Sequence, residues 1–203
     1  MYQMKNGLNP KTICDETLLS KVVAGDNHAS TELISRYQDR IFNFSMRFLD
    51  NRDDALDVTQ ETLLRMMKNA VQFRGESRFS TWLFSIAANL ARDRIKARKF
   101  FVEITNDDDE NEIIDFPSSY DLEDIVINRI DGQILMKAIG ELPVKLKEVL
   151  ILCDISGCKY EEISRIVNIP IGTVKSRISR AREQMLKIIK LTEQKNNLSC
   201  QKE

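Results

Sequence analysis

Histidine is almost missing from this chain: His28 is the single one in 203 residues. Metal and general-base chemistry built on imidazole clusters loses its usual groups, and neither HExxH nor any other paired ligand set occurs. The four cysteines, Cys14, Cys153, Cys158 and Cys200, form no CxxC pair. No structural zinc site, and no other metal or cofactor, is therefore expected; Cys153 and Cys158 read as small buried hydrophobes. No GxxxxGK[ST] phosphate loop is present either. Glycine and proline are scarce, at seven and four, which favours helix over a turn-rich β fold. No apolar run approaches the roughly 20 residues that a membrane-spanning helix needs. The opening MYQMKNGLNPK lacks the apolar core of a secretory signal, so a cytoplasmic protein without membrane insertion is expected.

What is present is apolar and strongly charged: 42% hydrophobic and 30% Asp, Glu, Lys and Arg. That suffices for one large domain or two small ones and is too apolar for general disorder. The formal net charge of −1 conceals a segregation. Residues 74–99 carry seven Arg/Lys against two Asp/Glu, residues 101–124 ten Asp/Glu and no base, and residues 171–190 six Arg/Lys against one acid. Two basic blocks on either side of an acidic stretch point to an anionic partner touched at two places.

Apolar spacing predicts an all-α chain, and no strand pattern is found. Helix is expected over 15–50 with a break at Gly25-Asp26-Asn27, over 53–71 opened by Asp53 and Asp54, and from a cap at Ser80 or Thr81 to about Lys99. Residues 100–123 read as a linker. Helical periodicity returns from Leu122 to Ile139, over 144–153, over 160–167 and from Val174 to Leu191, and the tail QKNNLSCQKE is expected to fray.

The sharpest local pattern is CKYEEISRIVNIPIGTVKSRISRAR at 158–182, which has helix-turn-helix form. Tyr160–Val167 would be the first helix and Thr173 the cap of the second, with Gly172 supplying the unusual backbone of the turn. Lys159 stands where a capping hydroxyl would be expected. On the second helix Val174, Ile178, Ala181, Met185 and Ile188 share the buried arc, leaving Lys175, Ser176, Arg177, Ser179, Arg180 and Arg182 outward. Arginines and small hydroxyls on one helix end suit a major groove. On 81–99, Leu83, Ile86, Ala87, Leu90 and Ala97 read as the buried face, and Ser85, Asn89, Arg92, Lys96 and Lys99 as a basic stripe able to follow phosphates. The preceding RGESRFSTW adds basic and aromatic groups, with Trp82 directed to the core. In 53–70, Leu56, Leu63, Met66, Met67 and Ala70 are taken as buried. Asp57 and Glu61 stand one turn apart as like charges, a repulsion that a partner presenting arginines would relieve.

In their order, the segments DDALDVTQETLLRMMKN, FRGESRFSTWLFSIAANLARDRIKAR and ELPVKLKEVLILCDISGCKYEEISRIVNIPIGTVKSRISRAR resemble the extracytoplasmic-function (ECF) sigma factors, promoter-recognition subunits of bacterial RNA polymerase. The similarity covers roughly residues 12–190. It implies two small helical domains, region 2 over 12–100 and a region 4 helix-turn-helix over 124–191, joined by an acidic linker at 101–123. It implies core RNA polymerase as partner, through the β′ clamp helices for Asp57, Gln60 and Glu61 and through the β flap. It assigns Arg74, Ser77, Arg78, Asn89, Arg92 and Lys96 to the −10 element of promoter DNA, and Thr173, Lys175, Ser176, Arg177 and Arg180 to the −35 element. It places the acidic linker toward the polymerase active-site channel and implies control by an anti-sigma factor. Three positions depart from the family pattern: Met66-Met67 replace a frequent small residue and tryptophan, and Val144 replaces a frequent proline after ELP.

Two other readings compete. A dimeric regulator with one helix-turn-helix domain and a sensing domain has no need of the 74–99 basic helix. A metal-dependent hydrolase using Asp53, Asp57 and Glu61 lacks a histidine cluster. The chain is expected to be no enzyme.

Overall fold

The computed structural model describes residues 13–102 and 132–199. Among these, every regular element is helical. The first helix, α1 (Asp15–Val23), ends at Gly25, whose φ of +87° turns the chain into α2 (Asn27–Leu49). Asp26 caps α2 by accepting the N–H groups of His28 and Ala29 at 2.8 and 3.2 Å. Leu33, Tyr37, Ile41, Phe44 and Phe48 then follow one helical face into the core.

Helix α3 (Arg52–Lys68) is capped by Asn51, whose side chain accepts the Asp54 N–H at 2.9 Å. Asp53 and Asp54 thus occupy the first turn, where carboxylates complement the helix dipole. The buried stripe is Ala55, Val58, Thr59, Thr62 and Met66, and Leu56, expected on the buried face with Leu63, Met66, Met67 and Ala70, is instead exposed. Small residues let α3 lie close to its neighbours. Both threonines tolerate burial because their hydroxyls donate to the carbonyls four residues back, Ala55 and Val58, at 2.7 and 2.6 Å.

After a 3-10 turn at Ala70–Gln72, α4 (Phe79–Val102) begins ahead of both expected caps, Ser80 and Thr81. The acceptor for the Phe79 N–H comes from another helix, Glu16 of α1, at 3.2 Å. Thr81 is therefore free to be buried. Phe79, Leu83, Phe84, Ala87, Ala88 and Ala91 are buried, whereas Ala97 is exposed, correcting the expected face. The buried arc is wide because α4 meets α2 and α3 as well as a helix of the C-terminal half. Tyr37, Phe73, Phe79 and Trp82 form an aromatic cluster with ring centroids 5.2 to 6.2 Å apart.

The C-terminal half starts with α5 (Gly132–Gly140); the stretch from Leu122 to Asp131, read as helix in sequence, and the acidic stretch from 103 lie outside the described residues. Helix α6 (Val144–Leu150) follows Pro143 and runs into a π turn at Ile151–Ile155. Then come α7 (Tyr160–Val167) and α8 (Ile171–Ser199). Asn168, in the left-handed region at φ 57°, makes the turn between them, while Gly172 lies inside α8. Thr173 is accordingly not a cap: α8 starts at Ile171, and the Pro170 carbonyl accepts the Val174 N–H at 3.0 Å. Proline before the first turn needs no donor of its own, which moves the helix start two residues ahead of the threonine. The helix also persists to Ser199, through most of the tail expected to fray.

One contiguous apolar cluster includes Phe84 and Ala88 from the N-terminal half and Val149, Ile163, Val174, Ile178 and Ala181 from the C-terminal half. Helix α4 packs on α7, and α2 meets α5, α6 and the π turn.

Candidate nucleic-acid interface

The second helix of the helix-turn-helix is held by its buried edge. Val174, Ile178 and Ala181 are fully buried, Met185 and Ile188 pack partly against them, and α8 rests on α5, α6 and α7. That leaves Lys175 and Ser176 exposed and Arg177 and Arg180 half-exposed, while Thr173 sits half-buried. The Ser176 hydroxyl donates to the Thr173 carbonyl at 3.1 Å. Arg182 belongs to the frame of the domain: its guanidinium binds Asp154 through Nε at 3.1 Å and Nη2 at 2.6 Å. The first helix is closed at its start by Glu162, whose Oε2 accepts the Lys159 N–H at 2.8 Å. A lysine at the cap position is tolerated because the glutamate three residues on reaches back to it.

The second basic surface comprises the loop before α4 and one face of that helix. Arg74 and Arg78 are exposed on the loop, turned by Gly75 at φ +71°, and the Ser77 hydroxyl points to the Arg78 carbonyl at 3.3 Å. On α4, Asn89 and Lys96 are exposed and Arg92 is half-buried, its Nη2 donating to the Asn89 amide oxygen. The structure brings Asn89, Arg92 and Lys96 to one face. It also places two acids of the other half beside this surface. Arg92 Nε is 3.6 Å from Glu148 Oε1, and Arg78 Nη1 is 3.6 Å from Glu162 Oε1. Burial pushes the Glu148 carboxyl above its ordinary range, against the opposing pull of Arg92 and Arg177. Neither acid stood out in the sequence; the one sign there was Glu162, three residues after a helix start.

A third surface lies on α3. Asp57 and Gln60 are exposed and Glu61 half-exposed, alongside Leu56 and Leu64, which are 38% and 46% exposed. Apolar side chains in an acidic surround make this face suited to a protein partner. The like charges are already balanced within the chain: Asp57 takes Arg94 Nη2 at 3.0 Å, and Glu61 takes Arg65 Nε at 2.7 Å. Burial raises the thiols of Cys153 and Cys158, to about 11 and about 12, so both stay protonated near neutrality.

Comparison with known families bears on both basic surfaces. The family described as sigma-70 region 2 matches residues 33–101, and that described as sigma-70, region 4 matches residues 132–185. The ECF RNA polymerase sigma-E factor of Haemophilus influenzae is 34% identical over 183 residues, 85% of this chain and 94% of the relative. The chain belongs to the ECF sigma factors. The RNA polymerase sigma-H factor of Pseudomonas aeruginosa is 33% identical, covering 86% of this chain and 93% of its own. Among solved structures, the sigma factor RpoE of Bartonella quintana, in complex with the anti-sigma factor NepR, has 26% identity and a TM-score of 0.63. It covers 79% of this chain and 96% of its own. CnrH, in complex with the cytosolic domain of CnrY, has the same TM-score at 21% identity, covering 87% and 97%, and supports the fold alone. This ECF sigma factor thus carries region 2 on α2–α4 and region 4 on α5–α8, each with one of the two basic surfaces, and its function is promoter-specific transcription initiation.

Proposed function

We propose that this sigma factor divides promoter recognition between its two basic surfaces while α3 docks on core RNA polymerase. The exposed edge of α8, with Lys175, Ser176, Arg177 and Arg180, enters the major groove of the −35 element, where guanidinium groups pair with guanine edges and lysine with phosphate. Thr173, within the first turn of α8, contributes at the groove rim. The −10 element is met by Arg74, Ser77 and Arg78 of the loop and by Asn89, Arg92 and Lys96 of α4. The adjacent aromatic cluster gives that loop a firm base.

Asp57, Gln60 and Glu61 with Leu56 and Leu64 form the polymerase-binding face toward the β′ clamp helices, and region 4 reaches the β flap. The solved relative RpoE is bound to the anti-sigma factor NepR, and a regulator of that kind is the expected third partner. The chain acts in the cytoplasm as a non-catalytic subunit; no described helix is long and apolar enough to cross a membrane.

The observation that carries this reading is the pairing, in one chain, of a region 2 match ending on the α4 basic face with a region 4 match containing the α8 edge. Reconstitution with core polymerase on a promoter library, followed by sequencing of the transcripts, is the test. Specific initiation from a shared two-element motif is expected; absence of any initiation sinks the reading.

A further inference from the structure

The loop assigned to the −10 element, from Arg74 to Arg78, is closed at its base by two aromatic side chains. Phe73 stands before it and Phe79 after it, and their rings meet edge-on with centroids 6.2 Å apart. Phe79 is also the first residue of α4. Whatever fixes the start of α4 therefore fixes the downstream end of the loop.

The local sequence leaves that start without a cap. The residue before α4 is Arg78, whose carbonyl accepts the Trp82 N–H at 3.2 Å. Its guanidinium has no acceptor to offer the open N–H groups of the first turn. No Asp or Glu stands in that turn to complement the helix dipole. Both lacks are met from α1, where Glu16 Oε1 accepts the Phe79 N–H at 3.2 Å.

The neighbouring carboxylate holds α1 in place for this contact. Asp15 Oδ2 accepts the Tyr37 hydroxyl at 2.5 Å, and Oδ1 accepts Arg36 Nη1 at 2.7 Å. The same Arg36 nitrogen donates to the Ile13 carbonyl at 2.9 Å. The Tyr37 ring in turn stands edge-on to Phe79, with centroids 5.2 Å apart. Two consecutive acids thus tie the start of α1 to α2 and to the start of α4, while Leu18, Leu19 and Val22 bury the rest of the helix.

We propose that Glu16 is a positioning residue for −10 recognition, holding the loop and the Arg74 and Arg78 guanidiniums in place through the first N–H of α4. The proposal rests on the promoter-residue assignment given above. Glu16 stands ahead of the region 2 match, which begins at residue 33, and acts through Phe79 rather than by touching DNA. Without it the Phe79 N–H loses its acceptor and the first turn frays. DNA then has to order the loop as it binds, which weakens capture at the −10 element.

The test uses holoenzyme assembled from the full-length chain on two promoter libraries, one randomised in the −10 element and the other in the −35 element. Affinity for core polymerase is measured alongside. Glu16→Ala should lower transcript yield about fivefold and flatten the −10 base preference, with the −35 preference and core affinity as in wild type. Glu16→Gln keeps an acceptor oxygen in the same place and should recover most of the yield. Glu16→Lys sets a positive charge against the helix start and should lose more than alanine. A general loss of structure would instead lower both preferences and core affinity together. That result, an unchanged −10 preference in Glu16→Ala, or a glutamine variant as defective as alanine would each overturn the positioning role. A failed function reading looks different: the wild-type holoenzyme then makes no transcript from either library, and the positioning role falls with it.

Discussion

Glu148 is the residue at which protonation and structure are most tightly linked. It is 3% exposed, and its Oε1 has no hydrogen-bond partner despite the nearby Arg92. Burying a carboxylate without full pairing costs free energy, and the raised pKa expresses that cost. A raised acid pKa stabilises the protonated fold: the contribution is complete below the ordinary value of 4.5 and is lost as pH rises through the raised value. Glu148→Gln should therefore unfold at a higher temperature than wild type near neutrality, with the gap closing toward pH 4. Thermal melts of both proteins across that range check it, and a constant gap would remove Glu148 as the source. If the α8 edge reads the −35 element as proposed, Arg177→Ala and Arg180→Ala should each weaken recognition by about 1–3 kcal/mol, roughly 5–150-fold, and relax the preference at one base position. Transcripts from the promoter library report this directly; unchanged base preference in both variants would take them out of the readout.

At the scale of elements, α3 and α8 behave differently under substitution. The α3 face proposed for docking is solvent-facing, and the core stripe of the helix is a separate set of residues. Asp57→Arg with Glu61→Arg should abolish capture of core polymerase in a pull-down, while losing only exposed ion pairs worth at most about 1 kcal/mol each. Normal capture by a folded double variant would reassign that face. In α8, Gly172 looks from sequence like a turn residue, but it lies within the helix, where an added methyl group would meet nothing within 4 Å, and Asn168 supplies the left-handed residue. Gly172→Ala should accordingly stabilise the fold by about 0.5–1 kcal/mol, measured by denaturant unfolding. Destabilisation would show that the turn needs the glycine after all.

At the scale of the whole molecule, the sum of the charges matters more than any one of them. Promoter binding by the holoenzyme should fall linearly in log K against log salt concentration, and Lys175→Ala should lessen the slope by about 1 if that lysine meets a phosphate. An unaltered slope would exclude the contact. Much of the architecture was legible in the sequence because apolar residues at helical spacing mark a buried face wherever the helix finally packs. The α7–α8 pair, the break at Gly25-Asp26-Asn27 and the basic outer edges of α4 and α8 all follow from that local rule. What escaped it depends on neighbours. Thr59 and Thr62 are buried in place of Leu56 because α3 is pressed close to α2 and α4. Helix α4 takes its first acceptor from Glu16, sixty-three residues away, and Thr81 meets Glu162 across eighty-one. Local chemistry determined which segments become helices and which charges they display. Only the packing of one half on the other decided which of those charges meet each other, because a carboxylate finds its guanidinium through space and not along the chain.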